Sequence, residues 1–119
     1  MKTTTWTRVC AVTDLTPDCG VAALVDGCAV AVFRLSGTDE VLAIANRDPF
    51  SGASVLSRGI VGSKGDVVTV ASPIYKQRFD LHTGVCLDDP SVTVRVHDTR
   101  VVDGWIEVCA LAPPVEDKA

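Results

Sequence analysis

Apolar residues in this chain recur mostly with period 2, and turn signals interrupt them roughly every 8–12 residues. Two Asp-Gly pairs, Asp26-Gly27 and Asp103-Gly104, each stand between strand-like runs. Such pairs are the strongest short-range hairpin signal, because both residues tolerate the positive φ that a tight reversal needs. Strand-like runs lie at Thr5 to Val12, Val21 to Val25, Ala29 to Leu35 and Val41 to Ala45. Others lie at Val67 to Ala71, Arg78 to Leu81, Val92 to Val96 and Trp105 to Leu111. No segment sustains helical periodicity over the roughly 10–12 residues that a stable helix needs. The pattern predicts an all-β sandwich or barrel of about eight to ten short antiparallel strands. The stretch from Arg47 to Gly65 reads as loop, with a short turn around Ser54 to Arg58.

The 119 residues suit one domain, set here at 1–112, with 113–119 (Pro113-Pro114 onward) as a flexible tail. With 47% hydrophobic and 22% charged residues the composition is that of an ordinary globular domain, which excludes disorder. Aromatics are only 5%, so Val, Ala, Leu and Ile must build the core. A net charge of −4 argues against a nucleic-acid binder that works by bulk charge. Apolar runs such as Cys28 to Phe33 are far too short to span a membrane. Behind Met1-Lys2 there is no apolar leader segment, so the expected location is cytoplasmic. The five cysteines, at 10, 19, 28, 86 and 109, are odd in number and show no metal-ligand spacing. They read as reduced thiols, with Cys28 and Cys109 expected to be buried.

Catalytic and metal motifs fail on their context. His82, on a hairpin strand, and His97 have no nucleophile elbow beside them and read as ordinary surface residues. Gly59 to Gly65 lacks the order and setting of a phosphate loop and reads as a flexible hairpin loop. Asp88-Asp89-Pro90 lacks the further oxygens of a calcium loop.

The informative region holds two loops, each after a strand: Asn46-Arg47-Asp48-Pro49-Phe50-Ser51-Gly52-Ala53 and Ala71-Ser72-Pro73-Ile74-Tyr75-Lys76-Gln77. The second runs directly into Arg78-Phe79-Asp80-Leu81-His82-Thr83-Gly84. This layout resembles the Rieske [2Fe–2S] domain, with its prolines, the Gly52-Ala53 pair and the Phe79-to-Gly84 hairpin in register. The resemblance implies a Rieske-like β-sandwich or barrel with both loops at the position of the cluster-binding subdomain. A Rieske cluster needs two thiolates and two imidazoles. Asp48 and Phe50 stand at the ligand places of the first loop, Ser72 and Tyr75 at those of the second. Phe cannot ligate iron, and hard oxygen donors suit the cluster poorly. No cofactor-binding, metal or catalytic residue is therefore expected. Phe50 and Tyr75 are expected to pack across the gap, with a hydrogen bond between Asp48 and Ser72.

Within that superfamily the chain is similar to the ligand-less small-subunit family of cytoplasmic NAD(P)H-dependent nitrite reductase. The likeness runs over about residues 5 to 110, and the strings Asp48-Pro49-Phe50 and Ser72-Pro73-Ile74-Tyr75-Lys76-Gln77-Arg78-Phe79-Asp80-Leu81 are its most specific part. It implies a non-catalytic subunit of an enzyme that reduces nitrite to ammonium for nitrogen assimilation. Its partner is a large subunit carrying siroheme, an iron–sulfur cluster and FAD and binding NAD(P)H. The alternatives are a Rieske-type ferredoxin electron carrier, which needs ligands these loops lack, and a free-standing β-domain interaction module. The segment from Arg47 to Arg78 carries +3 and the remainder −7. If the loops converge, they form a cationic tip on an acidic body. Arg47, Phe50, Ile74, Tyr75, Lys76 and Arg78 are then the partner-binding candidates.

Overall fold

Each Asp-Gly pair makes a two-residue reversal with positive φ at both positions, 50° and 86° at Asp26-Gly27, 53° and 81° at Asp103-Gly104. That is the type I′ geometry whose twist matches the flanking strands. The first joins β2 (Cys19–Val25) to β3 (Cys28–Arg34), pairing Val25 with Cys28. The second joins β9 (Thr99–Val102) to β10 (Trp105–Cys109), pairing Val102 with Trp105. Between them lie β4 (Val41–Ala45), β5 (Ile60–Lys64), β6 (Val67–Ala71), β7 (Arg78–Asp80) and β8 (Val96–His97), after an opening β1 (Trp6–Ala11). The computed structural model describes residues 6–38 and 40–109. The tail at 113–119, and the ends of the first and last predicted strands at Thr5 and Ala110-Leu111, lie outside them.

Three antiparallel sheets result, in the orders β1-β10-β9, β2-β3-β4-β8 and β5-β6-β7. The four-stranded sheet is the middle layer, which explains the unbroken apolar run of β3. Val30 and Val32 pack on one side, with Leu15, Val41, Ile106 and Val108. Ala31, Phe33 and Leu35 pack on the other, with Ile44, Leu56, Val70, Phe79 and Leu81. A strand covered on both faces has no polar side to alternate with. Among the described residues there is no α-helix, and so none long and apolar enough to cross a membrane.

Several sequence expectations are corrected. Ile60–Lys64 is not a flexible loop but the edge strand β5, paired with β6 from Ile60↔Ala71 to Lys64↔Val67. Its turn is Gly65-Asp66, with Gly65 at φ 62°. The run Val92 to Val96 is mostly irregular, and only Val96–His97 forms β8. Cys28 is exposed, because it sits at the hairpin end of β3, whereas Cys109 is buried. His82 lies in a turn, and its Nε2 meets the Glu40 carboxylate at 3.1 Å. His97 is buried rather than on the surface, and its Nδ1 is 3.2 Å from the Cys109 carbonyl. Burial is the main cause that pulls its pKa down.

Gly59 ties the middle layer to the β5-β6-β7 sheet. It follows a 3₁₀ turn at Leu56–Arg58, and a Cβ there would run into the Ala71 carbonyl oxygen and lie 2.6 Å from Val70 Cγ2. Only a residue without a side chain lets the return of the first loop lie against the strand that leads into the second. Gly59→Ala is expected to destabilise the domain by about 1–3 kcal/mol in urea unfolding, as other overpacked sites do. Gly62→Ala, whose Cβ would meet only Thr69 Oγ1 at 3.9 Å, is the control and stays close to wild type. Equal losses in both variants would contradict this packing.

Candidate functional site

The two loops share one backbone construction. In the first, Asp48 N–H donates to the Ala53 carbonyl (2.8 Å) and Gly52 N–H to the Asp48 carbonyl (2.7 Å). In the second, Ser72 N–H donates to the Gln77 carbonyl (2.9 Å) and Lys76 N–H to the Ser72 carbonyl (3.0 Å). Each leading side chain also caps its own turn: Phe50 N–H donates to Asp48 Oδ1 (2.8 Å), and Ile74 N–H to Ser72 Oγ (3.2 Å). The fifth residue of each turn is left-handed, Gly52 at φ 79° and Lys76 at φ 67°. Asp48 thus corresponds to Ser72, Phe50 to Ile74, Ser51 to Tyr75 and Gly52 to Lys76.

One bond joins the loops. Ser72 Oγ donates to Asp48 Oδ2 at 2.5 Å, with both residues fully buried. Ile74 N–H, Ser72 hydroxyl, Asp48 carboxylate and Phe50 N–H therefore form one continuous hydrogen-bonded line across the gap. Burial by itself pushes the Asp48 carboxyl pKa upward. The Ser72 hydroxyl, the Phe50 N–H and Ser51 together outweigh it and hold the group below its ordinary value. A buried anion with this many donors is ionised and fixed in place.

The base of each loop is clamped separately. Asn46, buried beneath the first loop, accepts the Ser57 N–H on Oδ1 at 2.7 Å and donates from Nδ2 to the Ser54 carbonyl at 3.3 Å. Asp88 grips the exit of the second, accepting the Arg78 N–H (2.8 Å) on Oδ2 and Arg78 Nη2 (2.9 Å) on Oδ1.

The structure brings Asp48 and Ser72 together as expected, but not the two rings. Phe50 leans inward on the buried Phe79, with ring centroids 6.2 Å apart and planes tilted by 47°. Tyr75 points away and is 59% exposed, beside Ile74 at 45%. The rings occupy non-equivalent positions of the repeated turn, so they cannot face each other. Arg47 is exposed, with Nη2 close over Gly52, and Lys76 Nζ donates to the Pro73 carbonyl at 3.1 Å. Arg78 spends its charge on Asp88, ten residues further along the chain. The surface left at the tip is Arg47, Ile74, Tyr75 and Lys76, with Phe50 half-buried behind them.

This donor set does not fit a [2Fe–2S] cluster. At the ligand places stand an aspartate and a serine bonded to each other, a half-buried phenyl ring packed against the core and an outward phenol. The cysteines lie elsewhere: Cys10, Cys19, Cys28 and Cys109 in β1, β2, β3 and β10, and Cys86 in the core behind β7.

Residues 5–109 match the Rieske-like [2Fe-2S] domain family. The chain is 45% identical over 103 residues to the nitrite reductase (NADH) small subunit of Salmonella typhimurium, covering 87% of this chain and 95% of that one. This chain belongs to the nitrite reductase small-subunit family, on a Rieske-like fold. A crystal structure titled as an NADH-dependent nitrite reductase small subunit from Mycobacterium tuberculosis superposes with a TM-score of 0.89 at 49% identity, covering 94% of this chain and all of that one. A nitrite reductase [NAD(P)H] large subunit from Klebsiella oxytoca contains a stretch 35% identical over 103 residues, 87% of this chain and 11% of that protein.

Because the Asp48 pKa is depressed on folding, its stabilisation is complete above the ordinary carboxylate value of about 3.9 and is lost as pH falls through the folded value. The stability advantage of wild type over Asp48→Asn should therefore be constant near neutrality and shrink in acid. Urea unfolding of both proteins between neutral pH and about pH 3 checks this. A gap that does not change with pH would mean that Asp48 is not held as an anion.

Proposed function

We infer that this chain is the non-catalytic small subunit of an NAD(P)H-dependent nitrite reductase, acting in the cytoplasm in the reduction of nitrite to ammonium. The observation that carries this reading is the Asp48–Ser72 bond at the place of the cluster, in a chain of the small-subunit family. It keeps the two-loop shape of a Rieske tip with donors unsuited to iron–sulfur ligation. What such a tip retains is a rigid, shaped end. On this reading the siroheme, iron–sulfur cluster, FAD and NAD(P)H sites belong to the large subunit, and this chain binds and completes it.

The docking end is the loop tip. Tyr75 and Ile74 supply exposed apolar area on a turn held by its own hydrogen bonds, so little order is lost on binding. Arg47 and Lys76 flank them and steer the tip toward an acidic patch. Phe50 supports the surface from behind, and Arg78 fixes the second loop through Asp88. Lys76 holds a left-handed conformation that glycine adopts more readily, and its ammonium stays at the tip.

Tyr75→Ala is expected to weaken binding to the cofactor-loaded large subunit by about 2 kcal/mol or more, with the fold unchanged. Lys76→Glu should slow association and reduce its salt dependence, with a smaller effect on dissociation. Surface-bound kinetics at two ionic strengths read both effects. Normal binding by both variants, with nitrite reduction intact, would remove the tip from the interface.

A further inference from the structure

The chain has two tryptophans, Trp6 and Trp105, and neither is in the core. Both lie on the outward face of the β1-β10-β9 sheet, whose inward residues Ile106 and Val108 are fully buried. Register places Arg8 and Arg100 opposite Glu107, one on each neighbouring strand. Arg100 Nε bonds Glu107 Oε1 at 2.7 Å, and Arg8 Nε lies 3.8 Å from Oε2. The guanidinium of Arg8 also covers the Trp105 ring at 4.9 Å, and that of Arg100 covers the Trp6 ring at 4.3 Å. A central carboxylate thus holds two arginines, and each arginine holds an indole.

This layer is more than a stability device. Trp105 is 39% exposed, and Val102, its cross-strand partner on the same face, is 36% exposed. The arginine side chains remain about half exposed at 54% and 48%, while Glu107 is down to 12%. An approaching surface therefore meets two cations and the Trp105 indole, with Trp6 half-buried beside them and the anion beneath. Trp and Arg are the residues most enriched at binding hot spots. Here their rotamers are already fixed, which lowers the ordering cost of association.

We propose that this tryptophan–arginine face is a second docking surface, which receives an acidic strip of the large subunit. The proposal rests on the small-subunit reading above. Charge selects the occupant: at the centre of the face two half-exposed guanidiniums flank one shielded carboxylate, so an anionic strip is complementary there. A second copy of this chain is disfavoured, because a two-fold pairing would set these guanidiniums against themselves. The second loop of the tip belongs to the β5-β6-β7 sheet and this face to the β1-β10-β9 sheet across the middle layer, so the proposal holds the small subunit at two separate surfaces.

The test uses the full chain labelled with 5-fluorotryptophan, which gives two ¹⁹F resonances, titrated with the cofactor-loaded large subunit. Both resonances should shift or broaden on complex formation, and Trp105→Ala should raise Kd at least tenfold. A complex that forms by gel filtration while both resonances stay unmoved overturns the proposal and leaves the small-subunit reading standing. Resonances that move on concentrating the small subunit alone make a second copy the occupant, which also overturns it. If wild type forms no complex at all, the small-subunit reading itself fails, and this proposal with it.

Discussion

The tip of this domain depends on one buried hydrogen bond, between the Ser72 hydroxyl and the Asp48 carboxylate. Each loop leaves its strand, turns through a left-handed residue and returns, which by itself says nothing about the distance between the two loops. The bond sets that distance. It works because each partner also caps its own turn, so the loops are fixed internally before they are fixed to each other. A hydrogen bond to a charged group is worth about 1.5–3 kcal/mol, and more is lost when its removal leaves a buried group unpaired. The Asn46 and Asp88 clamps then secure the bases, and Gly59 lets the two supporting strands approach.

This arrangement shows how a Rieske-like scaffold ties its two loops together with side chains unsuited to an iron–sulfur cluster at the ligand places. A [2Fe–2S] centre crosslinks two loops through four ligands. Here one carboxylate–hydroxyl pair spans the gap, and a phenyl ring at a former ligand place fills the core side by packing on Phe79. The outer ligand place is left to Tyr75, which nothing draws inward. With a carboxylate, a hydroxyl, a phenyl ring and a phenol at the ligand places, this end presents an ordinary protein surface. The same logic appears on the far sheet, where Glu107, Arg8 and Arg100 hold two indoles, Trp105 exposed and Trp6 half-buried.

Much of the fold was legible because its signals are local. The Asp-Gly hairpins follow from the φ values those residues allow, and the apolar run of β3 follows from burial on both faces. The β5 strand was not legible: Gly59, Gly62 and Ser63 read as loop, and pairing with β6 overrides that composition. Cys28 misled because position at a hairpin end, not the apolar run around it, decides exposure. At the site, the donor exchange and the Asp48–Ser72 bond were legible through the resemblance to the Rieske loop pattern, which sets these two residues at matching places. The expected stacking of Phe50 on Tyr75 failed because the loops repeat a turn, and matching Asp48-Pro49-Phe50-Ser51-Gly52 to Ser72-Pro73-Ile74-Tyr75-Lys76 puts the rings one place apart. The Arg78–Asp88 clamp and the two arginine–tryptophan contacts needed the tertiary structure, since no spacing announces them.

A double-mutant cycle on the joining bond tests the account most directly. Asp48→Ala, Ser72→Ala and the double variant are compared with wild type by urea unfolding at neutral pH. If the bond is the crosslink between the loops, the two single losses overlap, and the coupling energy is about 1.5–3 kcal/mol. Losses that add to within about 0.5 kcal/mol would show that Asp48 and Ser72 act independently, and that something other than their contact holds the tip together.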